Sequence, residues 1–173
     1  LRQRITSQLE DDGYAADLVQ AVAGDTVSTT RLLWDPLDVR VRIQMLRGLR
    51  DQGRLTAVQA VVQRASRLAE KGDLPSGVLS SSDVVDPALF ESASEQGLFD
   101  ATQRLNPLAA SGAYQQLCDV LVESTPALEA FFDGDQSVMV MADDPALRTN
   151  RLNLLGVLRN QAAVFAQFEL IQS

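Results

Sequence analysis

The chain has 173 residues, of which 46% are apolar, a size and composition typical of one globular domain with a substantial core. It has no histidine and a single cysteine, which removes the usual general base and leaves no plausible zinc site, and no apolar run approaches the roughly eighteen residues of a membrane span. The formal net charge of −8 argues at first sight against nucleic acid as a partner.

Apolar residues that recur every three or four positions predict helices along most of the chain. The segments with this period are 1–10, 14–23, 35–49, 54–71, 86–105, 114–121, 125–132 and 145–165. Asp35–Pro36, Asp86–Pro87 and Thr125–Pro126 place a capping side chain before a proline, which is typical of a helix start. No alternating strand pattern appears, so the sequence predicts an all-α bundle that forms one domain over residues 1–173.

The connecting segments are predicted from their composition. Residues 25–30 are polar and β-branched, and we expect a loop there. Residues 72–85 are rich in Gly, Pro, Ser and Asp and have no periodicity, so we expect a mobile loop. The run 138–141 is too short to classify, and its two methionines are expected to fill gaps beneath the last helix. Phe131 and Phe132 are assigned to the core, with presentation of an aromatic ring to a base as the alternative.

The last helix is the longest amphipathic segment. Asp144 is expected to cap it, and Pro145 suits its first position. Arg151 is the one charge among its apolar positions, and a buried arginine needs a partner. The sequence leaves open whether that partner is a carboxylate or the anion of a ligand. Asn150 either hydrogen-bonds across helices or lies exposed.

Basic charge is concentrated in two blocks despite the acidic total. Residues 31–72 carry nine basic against four acidic residues, and residues 148–173 carry three arginines against one glutamate. Residues 73–147 carry one arginine against thirteen acids. A local basic surface can attract a polyanion on an acidic protein, although a solvated helix face is the simpler interpretation of either block. The candidate residues for such a surface are Arg64, Arg67, Lys71, Arg148, Asn150, Arg151 and Arg159.

The stretch FFDGDQSVMVMADDPALRTNRLNLLGVLRNQAAVF resembles the C-terminal end of the bacterial glycyl-tRNA synthetase β subunit. The residues that match this family are Phe131, Phe132, Asp133, Val138 to Met141, Asp144, Leu147, Arg148, Asn150, Arg151 and Leu152. The Asp-x-x-Leu-Arg signature is similar to that of the helical anticodon-binding domains called DALR domains. The chain starts at Leu1 and not at methionine, and we therefore expect it to be part of a longer polypeptide.

The resemblance implies a DALR-like anticodon-binding domain of a cytoplasmic enzyme with two α and two β chains. That enzyme joins glycine to tRNA(Gly) with ATP and Mg²⁺, and its partners are the tRNA, the α subunit and the second β subunit. The resemblance places aminoacylation on the α chain, so this chain is expected to hold no catalytic residue and no cofactor and to contact RNA through the seven candidates. The alternative is a helical interaction module that docks on another protein through its acidic region 73–147.

Overall fold

The computed structural model describes residues 1–173 and contains nine α-helices and no β-strand, which confirms the predicted all-α fold. The helices are α1 (Arg2–Asp11), α2 (Ala16–Ala23), α3 (Thr29–Trp34), α4 (Pro36–Asp51), α5 (Leu55–Ala69), α6 (Ser81–Val84), α7 (Ala93–Ser111), α8 (Tyr114–Phe132) and α9 (Pro145–Ala163). Single turns of 3-10 helix lie at Pro87–Leu89 and Phe168–Leu170. None of these helices combines the length and apolar character needed to cross a bilayer.

The helices surround one continuous apolar core of 38 buried residues, with α9 near its centre. α9 packs against α5 and α7, while α8 packs against α7 and α5. α1, α2 and α4 form a second group, which meets the first through α5 and through the residues that follow α9. Between Asn150 and Ala162 only Asn153 and Arg159 are not fully buried. The last helix is therefore enclosed on nearly every side.

Two of the predicted aspartate–proline helix starts are confirmed. The Asp35 carboxylate accepts hydrogen bonds from the amides of Leu37 and Asp38, at 3.0 and 3.1 Å, at the start of α4. The Asp144 carboxylate accepts from the amide of Ala146, at 2.8 Å, at the start of α9. In both helices proline fills the first turn, where its missing N–H leaves no bond unmade.

The predicted loop at 25–30 is wrong at its end, because α3 begins at Thr29. The Ser28 hydroxyl caps this helix by accepting from the amide of Arg31 at 3.1 Å, and Leu32 is fully buried. A helix of six residues has too few turns for apolar periodicity to appear in the sequence. One cap and one buried side chain decide its position.

The predicted start of the next long helix at Asp86–Pro87 is also wrong. That pair opens only the 3-10 turn, and α7 starts after Ser92. Glu95 reaches back to the backbone of its cap, since its carboxylate accepts from the Ser92 amide at 3.0 Å. This reciprocal capping box satisfies more of the open amides than a single aspartate does, which fixes the later start.

Two prolines that we expected to mark helix boundaries lie inside helices. α7 continues past Pro107 to Ser111 and ends at Gly112, whose φ of 67° lies in the left-handed region that glycine adopts without strain. α8 continues past Pro126 to Phe132, so the two short helices predicted at 114–121 and 125–132 are one. The extensive packing of α7 against α8 outweighs the local cost of each proline.

The prediction that Met139 and Met141 pack beneath α9 is wrong. Their side chains are 72% and 41% exposed, whereas Val140 and Ala142 between and after them are buried. Exposure therefore alternates along this irregular segment, and the two small residues, not the methionines, face the core. The carbonyl of Met139 points inward, where Arg151 donates to it at 2.9 Å.

Candidate nucleic-acid interface

The exposed face of α5 carries Arg64 and Arg67, and Lys71 is exposed in the turn that follows Ala69, so the helix predicted to Lys71 ends two residues earlier. The opposite face of α5 is buried against α8 and α9, so the helix turns Arg64 and Arg67 toward solvent. Neither Arg67 nor Lys71 has a carboxylate within ion-pair distance. Two exposed positive charges without a carboxylate partner therefore lie four positions apart, one at the C-terminal end of α5 and one in the turn after it.

Arg64 differs from the other two because it is held in place. Its Nη1 lies 2.8 Å from Oδ2 of Asp133, and its guanidinium carbon lies 4.6 Å from the centre of the Phe132 ring. The side chain of Arg64 is nevertheless 49% exposed. One side of the guanidinium faces the aromatic ring, and the group remains accessible from the solvent.

Phe131 and Phe132 separate into a core residue and a surface residue. Phe131 is fully buried, and Phe132 packs perpendicular to it with the ring centres 5.4 Å apart. Phe132 is half-buried and lines a groove between α5 and the end of α8. Phe131 is therefore part of the core, as predicted, and Phe132 packs against the core at the surface.

Arg151, the charge among the apolar positions of α9, is only 4% exposed. Its Nε lies 2.8 Å from Glu95, its Nη2 lies 2.8 Å from Glu91, and its Nη1 donates to the Met139 carbonyl at 2.9 Å. Burial opposes the charge of Arg151, but the hydrogen bonds and charges of Glu95 and Glu91 outweigh it and raise its pKa. The partner of Arg151 within the chain is thus a pair of carboxylates.

The polar side chains of α9 hold the segment between α5 and α7. Asn150 bonds both backbone groups of Asp86, accepting from its amide at 2.7 Å and donating to its carbonyl at 3.0 Å. The other three bonds join Asn153 to the Val84 carbonyl at 2.9 Å, Arg159 to the Leu74 carbonyl at 3.1 Å and Asn160 to the Pro75 carbonyl at 2.8 Å. Residues 74–86 are thereby fixed along α9 at both ends.

Gly156 lets this segment approach α9 closely. A Cβ added to Gly156 would lie 2.8 Å from Cδ2 of Leu74 and 3.2 Å from its Cβ. Leu74 therefore occupies the space that any larger residue at position 156 would need. The short distance explains how Arg159 and Asn160 reach the carbonyls of Leu74 and Pro75.

Arg148 lies at the other end of α9 and is half-buried. It has no carboxylate partner, and its Nη1 donates to the Ala142 carbonyl at 3.0 Å. It lies one turn before Leu152, whose Cβ would be 3.1 Å from a Cβ added to Gly72. Leu152, and not Arg148, is therefore the residue of α9 that meets the segment after α5.

The seven candidates thus divide into two groups. Arg64, Arg67 and Lys71 are exposed and lie in the C-terminal half of α5 and in the turn after it. The four candidates of α9 bond to the chain itself through their side chains, and these are Arg148, Asn150, Arg151 and Arg159. The structure does not bring all seven together as one exposed surface.

Sequence reasoning did not identify Asp133 and Glu95 as partners of the candidate arginines. Asp133 follows Arg64 by 69 positions and Glu95 precedes Arg151 by 56, so helical spacing carries no signal for either pair. The Ser92-x-x-Glu95 spacing of a capping box was visible in the sequence. This spacing identifies Glu95 as a residue of the first turn of a helix. In the structure the same carboxylate is buried and pairs with Arg151.

The basic block 31–72 also contains arginines that belong to the fold. Asp38 accepts from Nε of Arg42 at 2.9 Å, lies 3.4 Å from Nε of Arg31 and accepts from the hydroxyl of Tyr114. Arg42 is fully buried, and burial, followed by the charge of Arg31, lowers its pKa despite the opposing effect of Asp38. Its Nη1 donates to the Phe165 carbonyl at 3.0 Å. These residues are not available to a partner.

Large apolar side chains are exposed at the junction of α3 and α4. Trp34 is 83% exposed, Leu37 70% and Leu33 60%, and Val41 continues the same face. In the acidic region 73–147 only Met139 and Met141 are comparably exposed among the large apolar residues. Exposed apolar area suited to protein contact is therefore greatest on α3 and α4, outside the region that the interaction-module alternative invoked.

No protein-family model matches the chain. Among curated proteins it is similar to the glycine–tRNA ligase β subunits of Picosynechococcus sp., at 45% identity over 175 residues, and of Acaryochloris marina, at 46% over 175 residues. The corresponding subunit of Vibrio vulnificus is 33% identical over 173 residues. Each alignment covers 98% of this chain but only 23–25% of the relative. The chain thus spans about a quarter of the length of these proteins and is homologous to one segment of them.

Proposed function

We propose that this chain is the anticodon-binding part of a glycine–tRNA ligase β subunit. The observation that carries the proposal is the pair of exposed, unpaired cations Arg67 and Lys71, which follow Arg64 at the end of α5 and in the turn after it, on a protein whose net charge is −8. Homology along nearly the whole chain to such β subunits makes tRNA the natural polyanion for this face.

The exposed cations would bind the anticodon loop through its phosphates and its unstacked bases, as is usual for proteins that bind single-stranded RNA loops. Arg67 and Lys71 would contact phosphates, which fixes the position of the loop, and Arg148 would extend this track from α9. Anticodon bases are unstacked, so their edges and faces are accessible to arginine. Since Asp133 is paired with Arg64, its carboxylate would not repel the phosphates strongly.

The inward-facing residues of α9 would support this surface indirectly. Arg151 and Asn150 are buried and fully occupied by partners in the chain, so we assign them to holding α7 and the segment before it against α9. Arg159 holds the segment after α5 in the same way. Direct RNA contact by these three residues stays a prediction to which the geometry lends no support.

The longer protein would use the chemistry of its class, which joins glycine to tRNA with ATP and Mg²⁺ in the cytoplasm. Its proposed protein partners are the α subunit and a second β subunit. In this chain no group of three or more carboxylate or thiol side chains is arranged to hold a metal ion.

The proposal is tested by fluorescence anisotropy of the chain with a labelled tRNA(Gly) anticodon stem-loop across a salt series. A second stem-loop with altered second and third anticodon bases provides the comparison. Binding that weakens with salt and falls for the altered loop supports anticodon reading. Binding that does not distinguish the loops would reduce the role to a backbone clamp, and no binding would overturn the proposal for this chain.

A second candidate function is docking on another protein through the exposed apolar face of α3 and α4. The 83% exposure of Trp34 beside Leu33 and Leu37 favours it, because contiguous exposed apolar side chains mark protein contact sites and tryptophan is enriched among the residues that dominate binding. This face does not include the cations of α5, so both functions can coexist. Trp34→Ser should leave RNA affinity unchanged and should weaken assembly with the proposed subunits if the face is an interface.

A further inference from the structure

We propose that Arg64, Phe132 and Asp133 form a stacking subsite for one unpaired nucleobase. In this subsite the base would lie against the outer face of the Arg64 guanidinium, whose inner face rests on Phe132. The inference rests on the proposed RNA-binding function and deepens it, because it names the chemical group held at this point of the surface. Arg64 would contact the base, and the other two would be positioning residues.

The aromatic ring beneath the guanidinium is fixed by the core. Phe132 packs edge to face against Phe131, which is fully buried, with the ring centres 5.4 Å apart and the planes at 88°. The carbonyl of Phe131 also accepts a hydrogen bond from the Val138 amide at 3.1 Å, which anchors the end of α8 to the following segment. Phe132 therefore offers a ring of defined position at the surface.

The guanidinium is fixed from two directions. The ring of Phe132 lies 4.6 Å from its central carbon, and the Asp133 carboxylate lies 2.8 Å from Nη1. A planar group held by a stack and an ion pair loses little conformational freedom when a ligand binds, and arginine planes stack well on unpaired bases. The groove beside Arg64 leaves its other side open to solvent.

The combination of contacts is particular to Arg64. The exposed pair Arg104–Glu123 has the same separation of 2.8 Å and similar exposure, but no aromatic ring lies under its guanidinium. Arg47 lies 4.4 Å from the ring centre of Tyr14, but no carboxylate holds it. Only Arg64 has both contacts, and it alone is followed by the unpaired cations Arg67 and Lys71, at the end of α5 and in the turn after it.

The substitution Arg64→Lys separates stacking from charge, because lysine keeps the positive charge and loses the plane. The experiment measures the Kd of the chain for a tRNA(Gly) anticodon stem-loop and for a set of stem-loops in which each loop nucleotide in turn is abasic. We expect Arg64→Lys to raise the Kd of the intact stem-loop about tenfold. For the one RNA that lacks the stacked base, we expect less than about a twofold change.

Phe132→Leu and Asp133→Asn should each reproduce part of this loss with the same dependence on the abasic position, as expected of positioning residues. Arg104→Lys and Phe90→Leu are the matched controls, since they alter a similar ion pair and a similar edge-to-face aromatic pair elsewhere. Both controls should leave every Kd unchanged. Circular dichroism verifies that each variant is folded, and Asp133→Asn replaces Phe132→Leu if the latter is not.

The possible results separate this subsite from the proposed function. If Arg64→Lys has no effect, or the same effect on every abasic RNA, the subsite is overturned. The general RNA-binding surface survives in that case provided that Arg67→Glu still weakens binding and lowers its salt dependence. A wild-type chain that binds none of the stem-loops would overturn both.

Discussion

The cations of α5 and those of α9 look alike in sequence but have opposite surroundings. Arg67 on α5 and Lys71 in the turn after it are exposed and have no carboxylate partner. On α9, Arg151 is 4% exposed and lies between two glutamates, and Arg159 donates to a backbone carbonyl. Both helices present basic residues three to eleven positions apart, and only the packing around them separates the two cases.

Basic residues on a helix can therefore serve two different purposes, contact with an anionic partner or pairing with buried carboxylates inside the protein. An exposed cation adds little to stability, because water screens it, and it is free to meet an anion. A buried cation must be matched by carboxylates, and removing it leaves those carboxylates unpaired at a large cost. Variants of the buried Arg151 on α9 should therefore change the free energy of unfolding, whereas variants of the exposed Arg67 on α5 should change RNA affinity.

The largest effect is expected for Arg151→Met. This substitution leaves Glu95, which is 1% exposed, without its cationic partner and should lower the free energy of unfolding by about 3–5 kcal/mol. Urea denaturation followed by circular dichroism measures the change. Arg104→Met, which breaks an exposed ion pair, is the control and should cost at most about 1 kcal/mol. Equal losses of stability from the two substitutions would contradict the claim that the buried Arg151 stabilises the fold more than an exposed arginine does.

A smaller effect is expected for Gly156→Val, which adds bulk where Leu74 lies 2.8 Å from the added Cβ. The substitution should destabilise the fold by about 1–3 kcal/mol through overpacking. Hydrogen exchange should also accelerate at residues 72–78, and the same experiment on the wild type tests the predicted mobility of 72–85.

The control is Gly97→Ala in the second turn of α7, where the nearest atom to the added Cβ is 3.7 Å away. This change should stabilise the fold by about 0.5–1 kcal/mol, since alanine favours the helix and meets no obstacle. A stabilised Gly156→Val would mean that the segment after α5 is not fixed against α9.

The ion pair between Arg50 and Asp17 should make the free energy of unfolding depend on pH. Hydrogen bonds from Arg50, opposed by burial and aided by the Gln172 amide, hold the pKa of Asp17 below its ordinary value. Stabilisation by this carboxylate should therefore be present above about pH 4 and should disappear as the pH falls through the ordinary pKa of an aspartate toward the lower folded value.

Asp17→Asn should lower the free energy of unfolding by about 1–2 kcal/mol at pH 7, and the difference from the wild type should shrink toward zero near pH 2. Urea denaturation across this pH range measures it. The Asp17 carboxylate also accepts from the Gln172 amide at 2.8 Å. A difference that stays constant with pH would show that the negative charge of Asp17 does not contribute to stability.

The sequence was sufficient for the parts of the fold that depend on local signals. The caps at Asp35 and Asp144 and the helices they open follow from residues that are adjacent in the chain. It was insufficient where distant residues compete. Pro126 reads as a helix start until the packing of α8 against α7 is known, and Met139 reads as a core residue until the alternation with Val140 is known.

The candidate site was predictable as a set of cations but not as a surface. The period of α5 correctly turns Arg64 and Arg67 to one face. The fate of Arg151 depends on Glu95, which is 56 positions away, and the sequence could state only that a partner was required. The pairing of Arg64 with Phe132 and Asp133 likewise depends on where the end of α8 meets α5.

The proposed RNA contact by the exposed cations of α5 is tested most directly by the salt dependence of stem-loop binding. The variant Arg67→Gln is measured beside the control Arg104→Gln. Both substitutions remove one exposed arginine charge and change the net charge equally. If Arg67 contacts a phosphate, Arg67→Gln should weaken binding and reduce the slope of log affinity against log salt by about 1, while Arg104→Gln should leave the slope unchanged. Equal slopes for the two variants would contradict the claim that the exposed cations of α5 face RNA.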